Sequence, residues 1–320
     1  MVFLDFKDHK ENFRKYHGHD SVLDLRPGDI VEVRGENEIG KTLDENNCLD
    51  GLPFMPEMRK YCGGRFEVLN CVNRMFVEGV GNRTVKNVVN LKGVICTGEF
   101  HEGCKRSCVL LWKTAWIKKV QGEPSKESVN VLNYSVPVYQ GNMQSDADSC
   151  QLMSLERATS PLPISFEDFV RQYVCQKFQS FELVNKICSF FLWLNFKVQR
   201  FLGRKKYATL RGKLHRTPSV SLNLQPGEIV EVKSKDEILA TLDFRGRNRG
   251  LHFTAEMLKY CGRRYRVLKR VDKMIVEKTG KLREIPNTVI LEGVTCDGSD
   301  HGNCPRNCYC LWREIWLKRV

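Results

Sequence analysis

The apolar residues of this chain fall mostly in short alternating runs. Residues 29–33 (Asp-Ile-Val-Glu-Val) and 228–232 (Glu-Ile-Val-Glu-Val) each follow a Pro-Gly pair and set β-branched residues against acids, the pattern of a strand leaving a turn. Residues 65–69, 74–78, 87–91 and 111–117 repeat that character and are expected to be strands. Two helical stretches interrupt them. Ser234 stands at an N-cap position before residues 235–242, with acids in the first turn; the equivalent stretch is weakened by Gly40. Pro56 suits the first position of a helical turn over residues 56–61. Five or so short strands separated by turn residues predict a mainly β fold, a small, partly open SH3-like β-barrel.

This series occurs twice. LRPGDIVEVRGENEIGKTLD, from Leu25, returns as LQPGEIVEVKSKDEILATLD, from Leu224, and LKGVICTGEFHEGCKRSCVLLWKTAWIKKV, ending at Val120, returns as LEGVTCDGSDHGNCPRNCYCLWREIWLKRV, ending at Val320. One added residue separates the two registers, in a Gly-containing turn where a hairpin tolerates a length change. The expected organisation is an N-terminal extension (1–20), a first cysteine-containing β domain (21–120), a partly disordered linker (121–163), an amphipathic helix with a basic tail (164–218) and a second β domain (219–320). The linker is rich in Ser, Asn, Gln and Pro. After it, Phe166, Phe169, Val170, Tyr173, Val174, Phe181, Val184, Ile187, Phe191 and Leu194 recur at helical spacing.

Charge sharpens the picture of that central segment. Lys and Arg exceed Asp and Glu by 51 to 38, a net charge of +13, and residues 197–216 hold eight bases and no acid. A polyanionic partner or an anionic membrane surface fits such a balance. No run of eighteen apolar residues occurs. The chain opens on interleaved acids and bases rather than an apolar core of a signal peptide, so the expected location is cytoplasmic or peripheral to a membrane.

Fourteen cysteines in a reducing compartment call for metal ligands or buried thiols. Cys96-x7-Cys104-x3-Cys108 recurs as Cys296-x7-Cys304-x3-Cys308, and Cys62 recurs as Cys261, each in Tyr-Cys-Gly. Four thiolates per unit suit a tetrahedral zinc ion, two ions in all. The same residues could hold an iron–sulfur cluster or, in an exported protein, pair as disulfides. His101 and His301 could replace Cys62 and Cys261 as fourth ligands; the plainer alternative is a histidine on a surface loop. Cys48, Cys71, Cys150, Cys175, Cys188 and Cys310 have no counterpart in the other unit.

No catalytic motif is present: no Gly-x-Ser-x-Gly, no phosphate-cradling glycine loop, no His-Glu-x-x-His. The recurrent Glu57-Met58 and Glu256-Met257 are expected to be solvated carboxylates beside core methionines. Trp112, Trp116, Trp312 and Trp316 lie four apart in expected strands, so each pair would share one core-facing side.

The run of residues 224–243, then Arg247-Asn-Arg-Gly-Leu251, Glu256-Met257, Tyr260-Cys-Gly262 and Trp312-Arg-Glu-Ile-Trp-Leu317, resembles a family of small bacterial cysteine-containing proteins found among biosynthetic and cell-surface gene clusters. The resemblance covers the second unit nearly end to end and the first more loosely. It implies a cysteine-bearing domain following a basic segment and implies no reaction. Family members carry a further cysteine near the position of Ile275 or of residues 287–289, which this chain does not have.

Three functions remain in view. The first is a non-catalytic zinc-stabilised tandem β module that meets a partner protein or an anionic membrane through residues 164–218. The second is an iron–sulfur protein serving an oxidoreductase. The third is a zinc-stabilised nucleic-acid-binding protein, disfavoured because the bases are concentrated in the central tail and not interleaved with aromatics.

Overall fold

A computed structural model describes residues 24–125, 150–162 and 210–320 of the chain. The first unit runs β1 (Ile30–Val33), a short helix Glu36–Gly40, the small hairpin β2 (Cys48–Leu49) and β3 (Leu52–Pro53), a 3-10 turn Pro56–Tyr61, then β4 (Arg65–Val77), β5 (Gly81–Ile95), β6 (Val109–Lys113) and β7 (Ile117–Lys119). β8 (Ser160–Pro161) adds to β5 beside Arg83 and Thr84. The second unit repeats the series as β9 (Ile229–Val232), a helix Lys235–Leu239, β10 (Arg247–Asn248), β11 (Leu251–His252), a 3-10 turn Ala255–Tyr260, β12 (Arg264–Arg270), β13 (Lys273–Ile275), β14 (Leu282–Glu284), β15 (Thr288–Thr295), β16 (Tyr309–Arg313) and β17 (Leu317–Arg319). The fold is mainly β, and the two main sheets share one strand order: β6-β5-β4-β1-β7 and β16-β15-β12-β9-β17.

Local chemistry explains most of these elements. Ser234 caps its helix as expected: its Oγ accepts the Glu237 N–H, and the Glu237 carboxylate accepts the Ser234 N–H at 2.8 Å. In the first unit Gly35 takes the cap position and Glu38 supplies only the return bond, to the Gly35 N–H. The acids of β1 face bases on both flanking strands. Glu32 meets Arg65 at 3.1 Å and Lys118 at 2.7 Å, so the alternation read as polar-out is an exposed ion ladder.

Two expectations need correction. Residues 65–69 and 74–78 form one continuous strand, Arg65–Val77, with the pairing to β5 shifting between Val72 and Arg74. Residues 111–117 are not one strand: the 3-10 turn Thr114–Trp116 breaks β6 from β7, as Glu314–Trp316 breaks β16 from β17. The turn carries the chain from one edge of the sheet to the other, and both tryptophans of each pair are fully buried. Phe54 packs edge-on against Trp112 and Trp116, and Phe253 does the same against Trp312 and Trp316. The indole N–H groups of Trp116 and Trp316 donate to Thr42 and Thr241, each just beyond a short helix.

The segment read as linker is in part built into the first unit. Gln151, at the start of the helix Gln151–Ser154, is buried and completes the edge of β6 with its side chain. Its Oε1 accepts the Leu111 N–H at 2.9 Å, and its Nε2 donates to the carbonyls of Leu111 and Pro53. At the other end of the central segment, the Gly212 and Leu214 N–H groups donate to the Asp243 and Leu242 carbonyls, so the last part of the basic tail lies against the second unit. The central helix expected within 164–218 otherwise falls outside the described residues, as do the N-terminal extension and residues 126–149. Among the described residues no helix is long and apolar enough to cross a membrane.

The two units pack through equivalent residues. The Phe76 N–H donates to the Cys304 sulfur at 3.3 Å, and the Ile275 N–H to the Cys104 sulfur at 3.3 Å. Arg306 donates to the Phe76 carbonyl, and Arg106 to the Ile275 carbonyl. This is the reciprocal contact pattern of a two-fold interface, here within one chain. Its symmetry breaks at Glu277, a buried carboxylate 3.2 Å from Arg306 and 3.6 Å from Arg106 that also accepts the Glu78 N–H at 2.9 Å.

Candidate metal centre

The cysteine loop of each unit leaves the end of a long strand and folds back on itself. The Cys96 N–H donates to the Cys108 carbonyl and the Cys296 N–H to the Cys308 carbonyl, both at 2.8 Å, which ties the ends of the loop together. Within it the His101 and Gly103 N–H groups converge on the Gly98 carbonyl, and the Cys104 N–H donates to the His101 carbonyl. Gly98 has φ +77°, and a Cβ there would run into the Cys104 carbonyl, so only glycine lets the loop close this tightly. The Tyr of Tyr-Cys-Gly steadies the strand end just before the loop: Tyr61 donates to the Ile95 carbonyl and Tyr260 to the Thr295 carbonyl.

Inside the first loop, Glu57, Cys96 and His101 bring one carboxylate oxygen, one sulfur and one ring nitrogen within 4.8 Å of one another; Glu256, Cys296 and His301 do so in the second. Glu57 comes from the 3-10 turn Pro56–Tyr61. Its Oε2 accepts both the N–H and the hydroxyl of Thr97 at 2.8 Å, while Oε1 points toward His101 Nε2 at 3.7 Å. Both side chains are only 1% exposed. Yet Glu57 Oε1 and both ring nitrogens of His101 have no hydrogen-bond partner. Three orphaned polar atoms converging in a dry interior are costly unless something binds them.

These positions overturn two expectations. Glu57 and Glu256 are buried rather than solvated, and His101 is buried rather than on a loop surface. The four sulfurs of each unit do not gather as one group. Of the first set, Cys96 alone belongs to the three-donor cluster, and of the second, Cys296 alone. Cys62 and Cys261 are half-buried residues at the ends of the 3-10 turns, where their N–H groups donate to Arg59 and Leu258. Cys104 and Cys304 turn toward the opposite unit, and Cys108 and Cys308 anchor the loop through their carbonyls. The twelve described cysteines are all free thiols. Cys175 and Cys188 lie outside the described residues.

Cys96, His101, Cys104, Cys108 and Cys150 line one cavity of about 20 Å³ at the junction of the first unit, the Gln151–Ser154 helix and Arg306 of the second. That is room for one water or one ion. Burial, then the nearby Glu57 and Cys108, push the Cys96 thiol well up, and burial pushes Cys108 up to about 12. Burial also works against a charged Glu57, but His101, Cys96 and Thr97 outweigh it and draw its carboxyl below the usual range. In the second unit burial wins, with Asp297 and Asp300 adding to it, and the Glu256 carboxyl rises. His101, Cys96 and Thr97 all favour a charged Glu57, whereas in the second loop Asp297 and Asp300 bring further carboxylates to Glu256.

A cysteine, a histidine and a glutamate could also make a nucleophile, its base and an orienting acid. The first cluster is sealed from any substrate by its burial, so a bound ion suits it better. The recurrence of Glu-Met two residues into a turn was the one sequence signal for the glutamates; nothing in cysteine spacing pointed to them. No family model, curated protein or solved structure matches this chain.

Proposed function

We propose that the protein is a non-catalytic tandem module of two small SH3-like β-barrels, each stabilised by a zinc ion, that serves as an accessory or interaction protein. The observation that carries this is the buried Glu57 Oε1 and His101 imidazole, without partners, beside the Cys96 sulfur, together with the same three donor types at Glu256, Cys296 and His301. Carboxylate, imidazole and thiolate are all ordinary zinc donors, and a structural site takes four. Cys104 lines the same cavity, but its sulfur accepts the Ile275 N–H and stands outside the three-donor group, so it would complete the set in the first unit only by turning inward, with Cys304 as its counterpart. Zinc would hold Cys96 as a thiolate in a place where burial otherwise keeps it protonated. An iron–sulfur cluster is the weaker reading, because clusters are held chiefly by thiolates and only one of the three gathered donors is sulfur.

The partner side of the function is assigned to the basic segment 164–218, where an anionic surface or an acidic partner protein would find eight bases without an acid in residues 197–216. Zinc-edge X-ray absorption on the purified chain tests the ligand set. A first shell mixing sulfur with about equal numbers of nitrogen or oxygen supports it, and an all-sulfur shell overturns it.

A further inference from the structure

The two clusters differ in how they are closed. Over the first, the Gln151–Ser154 helix forms a cover: Gln151 bonds both backbone groups of Leu111, and Cys150, Leu152 and Leu155 line the cavity that holds Cys96 and His101. Leu311 is the equivalent of Leu111, and among the described residues no side chain bonds its backbone in that way; Leu311 itself is half-buried. The donors follow suit. Cys96 and His101 are buried, whereas Cys296 and His301 are only half-buried, with His301 resting against the Phe76 ring at 4.7 Å. The second loop also carries more acid around the cluster. Asp297 and Asp300 replace Thr97 and Phe100, and the Asp300 carboxylate accepts the Glu256 N–H at 3.3 Å.

Resting on the metal-binding reading above, we propose that the Glu256/Cys296/His301 site holds an exchangeable divalent ion open to ligands from solution, while the Glu57/Cys96/His101 site holds a locked structural ion. Two half-buried donors, each with part of its surface in water, leave an approach for water or a chelator, and water-accessible ions exchange without local unfolding. Release from the first site requires the Gln151 cover to open, and that opening draws on the local stability of the whole edge.

The test is release of zinc from the full chain, loaded to two equivalents, into a chromogenic chelator. Two phases of one ion each are expected, the slow phase slower by at least about tenfold. Glu256→Gln should abolish the fast phase and spare the slow one, and Gln151→Ala should speed the slow phase alone. A single phase releasing both ions overturns the inference and leaves the metal reading standing. Loss of the slow phase in Glu256→Gln overturns it by reversing the assignment. A folded chain that takes up no zinc removes the metal reading and the inference with it.

Discussion

Removing the Glu277 carboxylate should uncouple the two units. Buried Glu277 faces two guanidiniums that are largely but not fully covered, Arg306 at 3.2 Å and Arg106 at 3.6 Å, and accepts the Glu78 N–H across the interface at 2.9 Å. Burial opposes charge on both arginines, and the Glu277 carboxylate offsets it. Glu277→Ala therefore leaves two largely covered cations without their carboxylate; breaking a fully buried pair from one side typically costs ~3–5 kcal/mol, and the lower end of that range is expected here because both arginines keep some contact with water. Glu277→Gln keeps an oxygen for the Glu78 N–H and should cost less, ~1–3 kcal/mol. Asp272→Asn serves as the control. Its pair with Lys105 spans the same interface at 2.7 Å, but both side chains are at least 40% exposed, so it should cost under ~1 kcal/mol. Urea unfolding followed by tryptophan fluorescence reads both units, since each buries two tryptophans. Equal shifts below ~1 kcal/mol for Glu277→Ala and Asp272→Asn would refute the reasoning, because burial would then make no difference to the worth of the pair.

Glu314 accepts the N–H groups of Leu222, Asn223 and Leu224 and pairs with Arg270 at 2.8 Å while fully buried. Glu314→Ala should lower second-unit stability by ~3–5 kcal/mol in chemical denaturation, leaving the first unit's transition in place. Gly98→Ala should force open the first cysteine loop through the Cys104 carbonyl, costing one bound ion per chain by elemental analysis. Burial, then the nearby Glu57 carboxylate, raise Tyr61 above the ordinary 10, so its folded value exceeds its unfolded one. Its contribution is full below pH ~10 and is lost as pH rises further, so tyrosinate absorbance from Tyr61 should appear only with unfolding.

Much of the fold was legible because alternation and turn residues act locally. The strands near residues 30 and 229, the Ser234 cap and the turn at Pro56 all follow from neighbours within a few positions. What escaped depended on distant partners. Whether residues 111–117 run straight is decided by the crossing to β7, which the segment itself does not encode. Cysteine spacing located the loop but not the grouping of Glu57 with Cys96 and His101, since Cys108 and Cys308 tie the loop through their carbonyls and Cys62 and Cys261 end turns. Glu57 and His101 read as surface residues because charge and polarity are usually exposed. Glu57 is held inside by the two bonds Thr97 makes to its Oε2, while its Oε1 and the His101 ring lie together beside the Cys96 sulfur. Gln151 sat in a stretch of polar composition that gave no sign of its bonds to Leu111 and Pro53.

The central claim is most directly tested by counting metal in matched double variants of the full chain. Glu57→Gln with Glu256→Gln should leave the purified protein with little or no zinc, while Cys62→Ser with Cys261→Ser should retain two ions per chain. Full zinc in the glutamate pair together with its loss in the Cys62 and Cys261 pair would contradict the account and restore a site made of four sulfurs.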